Sequence, residues 1–420
     1  MGAVSVAAVA ARAQDPAAGA GEKPPRFEFG AELRLRGEAR SGAGENAARE
    51  DGLGLSRLYL DFTMRPAKDV KVVLQGRDAR VWGLARGRSS VPFASPLDFR
   101  QAYVAVGREE GPATLSAGRM ELDFIDARLL GSRDWSNVSP MFDGSTLALR
   151  RGADSVTLLG VSQVEPLDGL DVPSRTRFIY GAIGAISSWA EGHLVEPFFL
   201  TTRRPVERGS NLGGLLRTVG SCVSGAFAEG WDYHVLLALQ GGGEDDYRQR
   251  AWAGVWEVGK TIEAAPYRPR LGLEWSYASG DSDPLDGRSG TFDTLFPSPH
   301  GIYGEQDLVS HRNIKILKAG VELHPHDKLQ VNADFLDLRL ASLQDGLYRL
   351  NFRQVVAPPP GGASDGFVGS EVDLIVRYRP ADKVELRFGI SHFFAGDFVV
   401  RNAPGGESQT FLNTALTYRF

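Results

Sequence analysis

Alternation of apolar and polar residues is the feature that most constrains this chain, because it runs with few breaks from Phe27 to the last residue. In "FEFGAELRLRGE" (27–38) the odd positions 27 to 35 are apolar, whereas positions 28, 32, 34 and 36 are charged. The segments "LSRLYLDFTM" (55–64) and "GSEVDLIVRYR" (369–379) show the same pattern. A period of two is typical of β-strands whose two faces meet different surroundings. We therefore predict an all-β protein.

The number and length of these segments favour a membrane barrel over a soluble sandwich. There are about 18 of them with roughly ten residues each, near the length that a tilted strand needs to cross a bilayer. They begin near residues 26, 55, 69, 97, 112, 143, 154, 176, 192, 211, 231, 247, 268, 311, 328, 367, 382 and 407. Short connections (65–69, 108–113, 150–155, 324–328, 379–383) alternate with long ones (81–96, 122–142, 280–310, 342–366, 395–406). This alternation predicts a transmembrane antiparallel β-barrel of about 18 strands, with short periplasmic turns and long extracellular loops.

Composition and motifs exclude several other classes. The 47 basic and 52 acidic residues are spread along the chain, so there is no basic arm for nucleic acid. Cys222 is the one cysteine in the sequence, which excludes an internal disulfide and a cysteine-based metal site. The acidic segment "DSDPLDG" (281–287) is out of register for a calcium loop, and we expect it to be solvated. No hydrolase elbow, zinc motif or P-loop is present, so we predict no enzyme activity, no cofactor and no metal.

The two ends of the sequence carry targeting features. Residues 1–13 form a small apolar run ending in Ala11-Arg12-Ala13, which we interpret as a signal-peptide remnant, with a disordered terminus as the alternative. Residues 14–25 form a predicted flexible linker, and residues 26–420 a single barrel domain. The last segment, "TFLNTALTYRF", ends on Phe420 and resembles the signal by which outer-membrane assembly machinery recognises its substrates. We predict a protein of the bacterial outer membrane, embedded in its lipid.

Charged residues lie on the polar face of many predicted strands. Arginine attracts anions, and its planar fork matches carboxylates, so a set of inward arginines would form a substrate pathway. The alternative is that these charges pair with neighbouring acids across a hydrated lumen. The alternation places the following on that face: Arg34, Arg36, Arg57, Arg77, Arg377 and Arg379.

Three stretches together resemble the alginate export family of outer-membrane β-barrels. The first is "LDFRQAYVAV" (97–106), and the second is "LSAGRMELDFIDARLLGSRDWSNVSPMFDGSTLAL" (115–149). The third, "FDTLFPSPHGIYGEQDL" (292–308), is similar to the family's F-D-x-L-(F/Y)-P-x-x-H-x-x-x-G-x-x-D. Met120 stands where the family usually has Gln in G-R-Q-E-L.

The resemblance implies an 18-stranded barrel with a positively charged constriction that passes an anionic polysaccharide such as alginate, or another anionic solute, by diffusion. A periplasmic complex that delivers the polymer is a further partner to consider. The alternatives are a general or substrate-selective porin for small solutes, and a structural or adhesion barrel. The resemblance implies that Arg100 and Arg119 line the pathway and that these residues shape the loops of the constriction: Arg128, Asp134, Trp135, Asp143, Phe292, Asp293, Pro297, His300, Gly304 and Asp307.

Overall fold

The computed structural model describes residues 26–41, 52–84, 93–165, 171–204, 214–244, 247–298, 300–349, 354–403 and 406–420. The predicted signal-peptide remnant (1–13) and linker (14–25) lie outside the described residues, so both stay predictions.

Eighteen long strands form one antiparallel sheet within the described residues. Each pairs with its neighbours in sequence, and several predicted starts, such as 231, 247 and 367, coincide with the observed ones. The strands are β1 Phe27–Ser41, β2 Gly52–Ala67, β3 Val70–Trp82, β4 Ser95–Val106, β5 Ala113–Met120, β6 Phe142–Arg151, β7 Asp154–Glu165, β8 Val172–Ala185, β9 His193–Arg204, β10 Gly214–Ala228, β11 Trp231–Glu244, β12 Tyr247–Thr261, β13 Arg270–Ala278, β14 Ile314–His326, β15 Leu329–Leu340, β16 Phe367–Ala381, β17 Val384–Ala395 and β18 Gln409–Arg419.

Pairing of the first strand with the last closes the sheet. Glu32 of β1 lies opposite Arg419 of β18, and the ladder continues to Ser41 opposite Thr410. Closure leaves no free strand edge, which a sheet in hydrocarbon requires, because unpaired backbone groups are costly there. The predicted 18-stranded barrel is confirmed.

The outer face of the barrel is apolar, as the alternation predicts. Leu60, Phe199, Trp275 and Phe388 all point outward and are 43–52% exposed in the isolated chain. These side chains form the surface that the lipid covers in an outer-membrane barrel.

The inner face is less polar than the prediction of charges on many strands implies. From β7 to β15 many of the inner residues toward the loop end are apolar and buried, as at Leu159, Ile179, Phe198, Leu236 and Leu338. Period-two alternation distinguishes two faces only when they differ in polarity, and here both are apolar. The partners of this inner surface are loops, so the barrel contains a hydrophobic core.

Helical structure is sparse in the described part of the chain. A helix that the sequence analysis did not predict, α1 (Asp397–Asn402), lies between β17 and β18 and is held by the Val400 N–H bond to Gly396 O, 3.0 Å long. Among the described residues, no helix has the length and apolar character needed to span a membrane.

Candidate functional site: two loops inside the barrel

Two long loops cross the interior of the barrel. The first inner loop (residues 121–141) joins β5 to β6, and the second inner loop (residues 279–313) joins β13 to β14. Within the first loop, Asp134 bonds Arg57 of β2, whereas Arg128 bonds Glu274 of β13. These two strands lie far apart around the sheet, so the loop runs across the lumen.

Arginines of β1 and β2 hold one side of the first inner loop. Arg34 donates from Nη1 to Asp134 O (2.8 Å) and from Nη2 to Trp135 O (2.9 Å). Arg57 donates to Asp134 O (2.7 Å) and to its Oδ1 (2.9 Å). Arg36 also bonds Trp135 O, and its guanidinium carbon lies 4.1 Å from the centre of the indole ring. These three predicted pathway residues therefore position a loop.

Arg77 and Arg100 lie on the same side of the lumen and are almost fully buried. Arg77 Nη2 is 2.7 Å from Asp171 Oδ2, and Nη1 is 3.4 Å from Ser139 O of the first inner loop. Arg100 Nη2 is 2.7 Å from Glu121 Oε1, at the start of that loop. The contacts with Ser139 and Glu121 tie the two ends of the first inner loop to the barrel.

Arg119 and Asp143 face each other across β5 and β6, with two hydrogen bonds of 2.8 and 3.0 Å. Asp143 therefore lies on strand β6, and both of these bonds join it to β5 rather than to the first inner loop. Arg377 is partly buried, with Nη1 3.4 Å from Asn332 Oδ1.

Arg379 is separate from the loops. Its side chain is 59% exposed near the short-turn end of β16 and pairs with Glu385 at 2.7 Å. The structure brings most of the predicted arginines together, but not this one.

The other side of the first inner loop is held by a buried ion pair and apolar packing. Arg128 Nη2 lies 2.7 Å from Glu274 Oε2, and the two side chains are 5% and 2% exposed. Ile125, Leu129 and Leu130 are at most 1% exposed against the inner apolar surface. Such burial stabilises the loop by roughly 1.5–3 kcal/mol per large side chain.

The two inner loops are hydrogen-bonded to each other. Gly131 N–H donates to Phe296 O, and Phe296 N–H donates to Leu129 O, both at 2.9 Å. The Phe296 ring meets Phe142 edge to face at 5.7 Å. The predicted loop residue Phe292 is also fully buried. Because of these contacts, the loops form one packed unit inside the lumen.

Two glutamines of the barrel, not identified from the sequence, hold the second inner loop. Gln240 of β11 exchanges two bonds with the Asp293 backbone, of 2.6 and 2.8 Å. Gln249 of β12 donates to Thr291 O at 2.8 Å. The sequence signal was a single amide in an apolar run, as in "VLLALQ". A buried amide needs a hydrogen-bond partner, so such a residue indicates a polar contact inside the barrel. The predicted loop residue Pro297 accepts a 2.7 Å bond from Arg133, which links the loops again.

Carboxylates of β16 receive the far part of the second inner loop. The backbone N–H groups of Glu305 and Gln306 donate to Asp373 and Glu371, at 3.3 and 3.1 Å. Gly304 adopts φ +104°, and a Cβ there would lie 2.6 Å from Glu371 Oε1. The positive φ favours glycine, and a Cβ at this position would have to displace the buried Glu371 carboxylate.

His300 of the second loop meets Trp135 of the first. The rings stack with centroids 4.1 Å apart and 4° between their planes. His300 Nδ1 lies 3.0 Å from Asp307 Oδ2, and Nε2 lies 3.4 Å from Glu305 Oε2. Burial disfavours the charged ring, but Asp307 and Glu305 outweigh it and raise the pKa of His300. This contact joins the loops at the arginine side of the lumen.

The acidic segment 281–287 was expected to be solvated, but Asp281 is buried. It is 5% exposed, and its N–H donates to Asp345 Oδ2 at 2.9 Å. In the described part of the chain, no three His, Cys, Asp or Glu side chains converge in a way that could hold a metal ion.

A closed, lipid-facing antiparallel barrel narrowed by interior loops defines the class of outer-membrane channel proteins. The alginate export family model matches residues 26–413, and the chain belongs to this family. This membership indicates a non-enzymatic transport channel of the bacterial outer membrane. A comparison with curated protein sequences finds no match.

Solved structures of outer-membrane channels share the fold. Acinetobacter baumannii OccAB4 has a TM-score of 0.64 and 10% identity, with 94% of this chain and 99% of that chain covered. Pseudomonas aeruginosa OpdO has a TM-score of 0.63 and 11% identity (94% and 97% covered), and P. aeruginosa OccK5 (OpdH) has 0.62 and 9% (94% and 98% covered). At such identities the likeness concerns the fold alone.

Proposed function

We propose that this barrel passes an anionic polysaccharide of the alginate type, or another anionic solute, across the outer membrane by diffusion. The observation that carries the proposal is the concentration of arginine on one side of the lumen, opposite an inner surface that is apolar. Arg34, Arg36, Arg57, Arg77 and Arg100 are all at most 6% exposed on β1 to β4, beside the first inner loop.

Acids beside these arginines offset part of their positive charge. Arg34 and Arg36 both donate to the neutral carbonyl oxygen of Trp135. Arg36 Nε also lies 2.9 Å from Glu38 Oε1, and Arg34 Nη1 lies 3.9 Å from Asp134 Oδ2. Arginines gathered on one wall of a cleft still focus a field that attracts anions. Acids nearby, such as Glu32 and Asp134, would weaken binding enough for an anion to leave again.

A substrate-selective porin for small solutes is the second candidate. The observation that favours it is the packing of both inner loops against the barrel, which leaves less room for a polymer. A structural or adhesion barrel is the third, and it predicts no conductance. Delivery of a polymer by a periplasmic complex is part of the first candidate function, the passage of an anionic polysaccharide.

Ion selectivity in planar bilayers tests the proposal. Reversal potentials in a salt gradient are measured for the wild type, Arg100→Glu and Arg119→Glu, with the exposed Arg379→Glu as the matched control. We expect an anion-selective wild type, reduced anion selectivity in the first two variants, and wild-type selectivity in the control.

Added uronate oligomers then distinguish the candidates. Transient block of the current supports the polysaccharide, whereas an anion-selective pore indifferent to these oligomers supports a small solute. Unchanged selectivity in both Arg100→Glu and Arg119→Glu removes these residues from the pathway.

A further inference from the structure

We propose that His300 is a charge-dependent latch that holds the two inner loops together, so that the channel opens as the pH rises. The inference rests on the proposed function, because it requires that the loops narrow a conducting lumen.

The geometry around the His300 ring favours a cation. Both ring nitrogens face carboxylates, with Nδ1 3.0 Å from Asp307 and Nε2 3.4 Å from Glu305. A neutral imidazole has one N–H and one lone pair, so one carboxylate would face that lone pair. Only the doubly protonated ring presents a donor to each acid.

The latch couples the loops because its two sides belong to different loops. Asp307 and Glu305 lie on the second inner loop with His300, and the stacked Trp135 lies on the first. A cation over an indole face is attracted by the negative face of the ring. Loss of the His300 charge therefore weakens both its ion pair with Asp307 in the second inner loop and its stacking on Trp135 of the first.

Trp135 is also the point where the arginine side of the lumen meets the latch. The guanidinium carbons of Arg36 and Arg387 lie 4.1 and 4.4 Å from the centre of its ring. Arg387 Nη2 lies 2.5 Å from Glu305 Oε2, so Glu305 is shared between the barrel and His300. A displaced Trp135 would therefore alter the arginine cluster directly.

Charged groups surround the latch on several elements. Asp307 and Glu305 come from its own loop, and the rest come from the first inner loop and from strands β1, β16 and β17. They are Arg133, Arg36, Arg40, Glu371, Asp373, Arg377 and Arg387.

The direction of the pH effect follows from the two carboxylates. Burial opposes the charge, but Asp307 and Glu305 raise the pKa of His300 above its ordinary value. The latch is therefore complete below that ordinary value and is lost as the pH rises through the raised pKa. His311 of the same loop does not respond, because burial lowers its pKa to about 3 and it stays neutral.

Single-channel recording in planar bilayers from about pH 5 to about pH 9, the range in which histidines titrate, tests the latch. For the wild type we expect dwell times in the low-conductance level to shorten about fivefold or more at alkaline pH, as a coupling of typical size gives. His300→Phe keeps a ring on Trp135 but carries no charge, so it should show the short dwell times at every pH.

Two further variants complete the test. His324 pairs with Glu322 at 2.8 Å next to a short turn, far from both inner loops, so His324→Phe should retain the wild-type response. Glu305→Gln removes one anionic partner and should move the midpoint of the response to lower pH. It also serves as the test if His300→Phe does not yield the folded, heat-modifiable barrel.

The outcomes separate the latch from the proposed function. An anion-selective wild type that is indifferent to pH overturns the latch alone, as does a His300→Phe variant that keeps the wild-type response. An unchanged midpoint in Glu305→Gln also overturns it. A barrel with no conductance at any pH overturns both proposals.

Discussion

Removal of the buried Arg128 guanidinium should release the first inner loop. Arg128→Leu leaves Glu274, which is 2% exposed, as a buried carboxylate that has lost its 2.7 Å partner. Breaking such a pair costs about 3–5 kcal/mol, which shifts the equilibrium between docked and undocked loop by about two to four orders of magnitude. Packing of Leu129 and Leu130 opposes the release but does not satisfy the charge.

The assay is single-channel current, in which an undocked loop appears as frequent transitions between levels. Limited proteolysis of intact cells from outside, with the cleavage site mapped to residues 121–141, reports the same release independently. We expect Arg128→Leu to be noisy and cleaved, and the wild type to be quiet and protected.

The double variant Arg128→Leu/Glu274→Leu is the matched control. Replacement of a buried ion pair by apolar residues is often neutral or stabilising, so the double variant should regain the quiet behaviour. A single variant as quiet as the wild type would refute the anchoring role of the pair. A double variant as noisy as the single would show that the released carboxylate is not the cause.

Three further outcomes are expected. Gly304→Ala, at φ +104° and with Glu371 in the way, should lower the free energy of unfolding by about 1–2 kcal/mol, measured in denaturant. Asn137 is 3% exposed and donates to backbone carbonyls of the barrel, among them Phe93 O at 2.8 Å. Asn137→Asp should therefore lower the melting temperature more than Asn137→Ala, because the new carboxylate would face those carbonyls. Phe420→Ser should reduce the fraction of heat-modifiable barrel in the outer membrane without changing the conductance of the barrels that do assemble, since Phe420 is 61% exposed and lies outside the lumen.

The strands could be predicted because their signal is local. Alternation within ten residues identifies a strand without knowledge of its partners, as at β12 and β16, whose predicted and observed starts coincide at 247 and 367. The closed topology then followed from the number of strands and the alternation of loop lengths.

The paths of the inner loops could not be predicted in the same way. Arg128 and Glu274 are 146 positions apart, and Gln240 and Asp293 are 53 apart, so no local pattern connects them. The family resemblance identified both loop segments, but not that wall arginines such as Arg34 would bond loop carbonyls. The apolar inner surface was not predicted, because residues such as Leu159 and Leu338 pack against loops whose paths the sequence does not give.

The hydrophobic core inside the lumen has a consequence for how the barrel is built. The first inner loop follows β5, yet its anchor Glu274 and its partner Phe296 come much later in the chain. If strands enter the membrane in sequence order, this loop cannot reach its final position until β13 and the second inner loop have arrived. Contacts so distant in sequence form slowly, because the intervening chain must first be ordered. The interior should therefore fill only as the last strands insert, and closure of β1 on β18 should trap a core that has just formed.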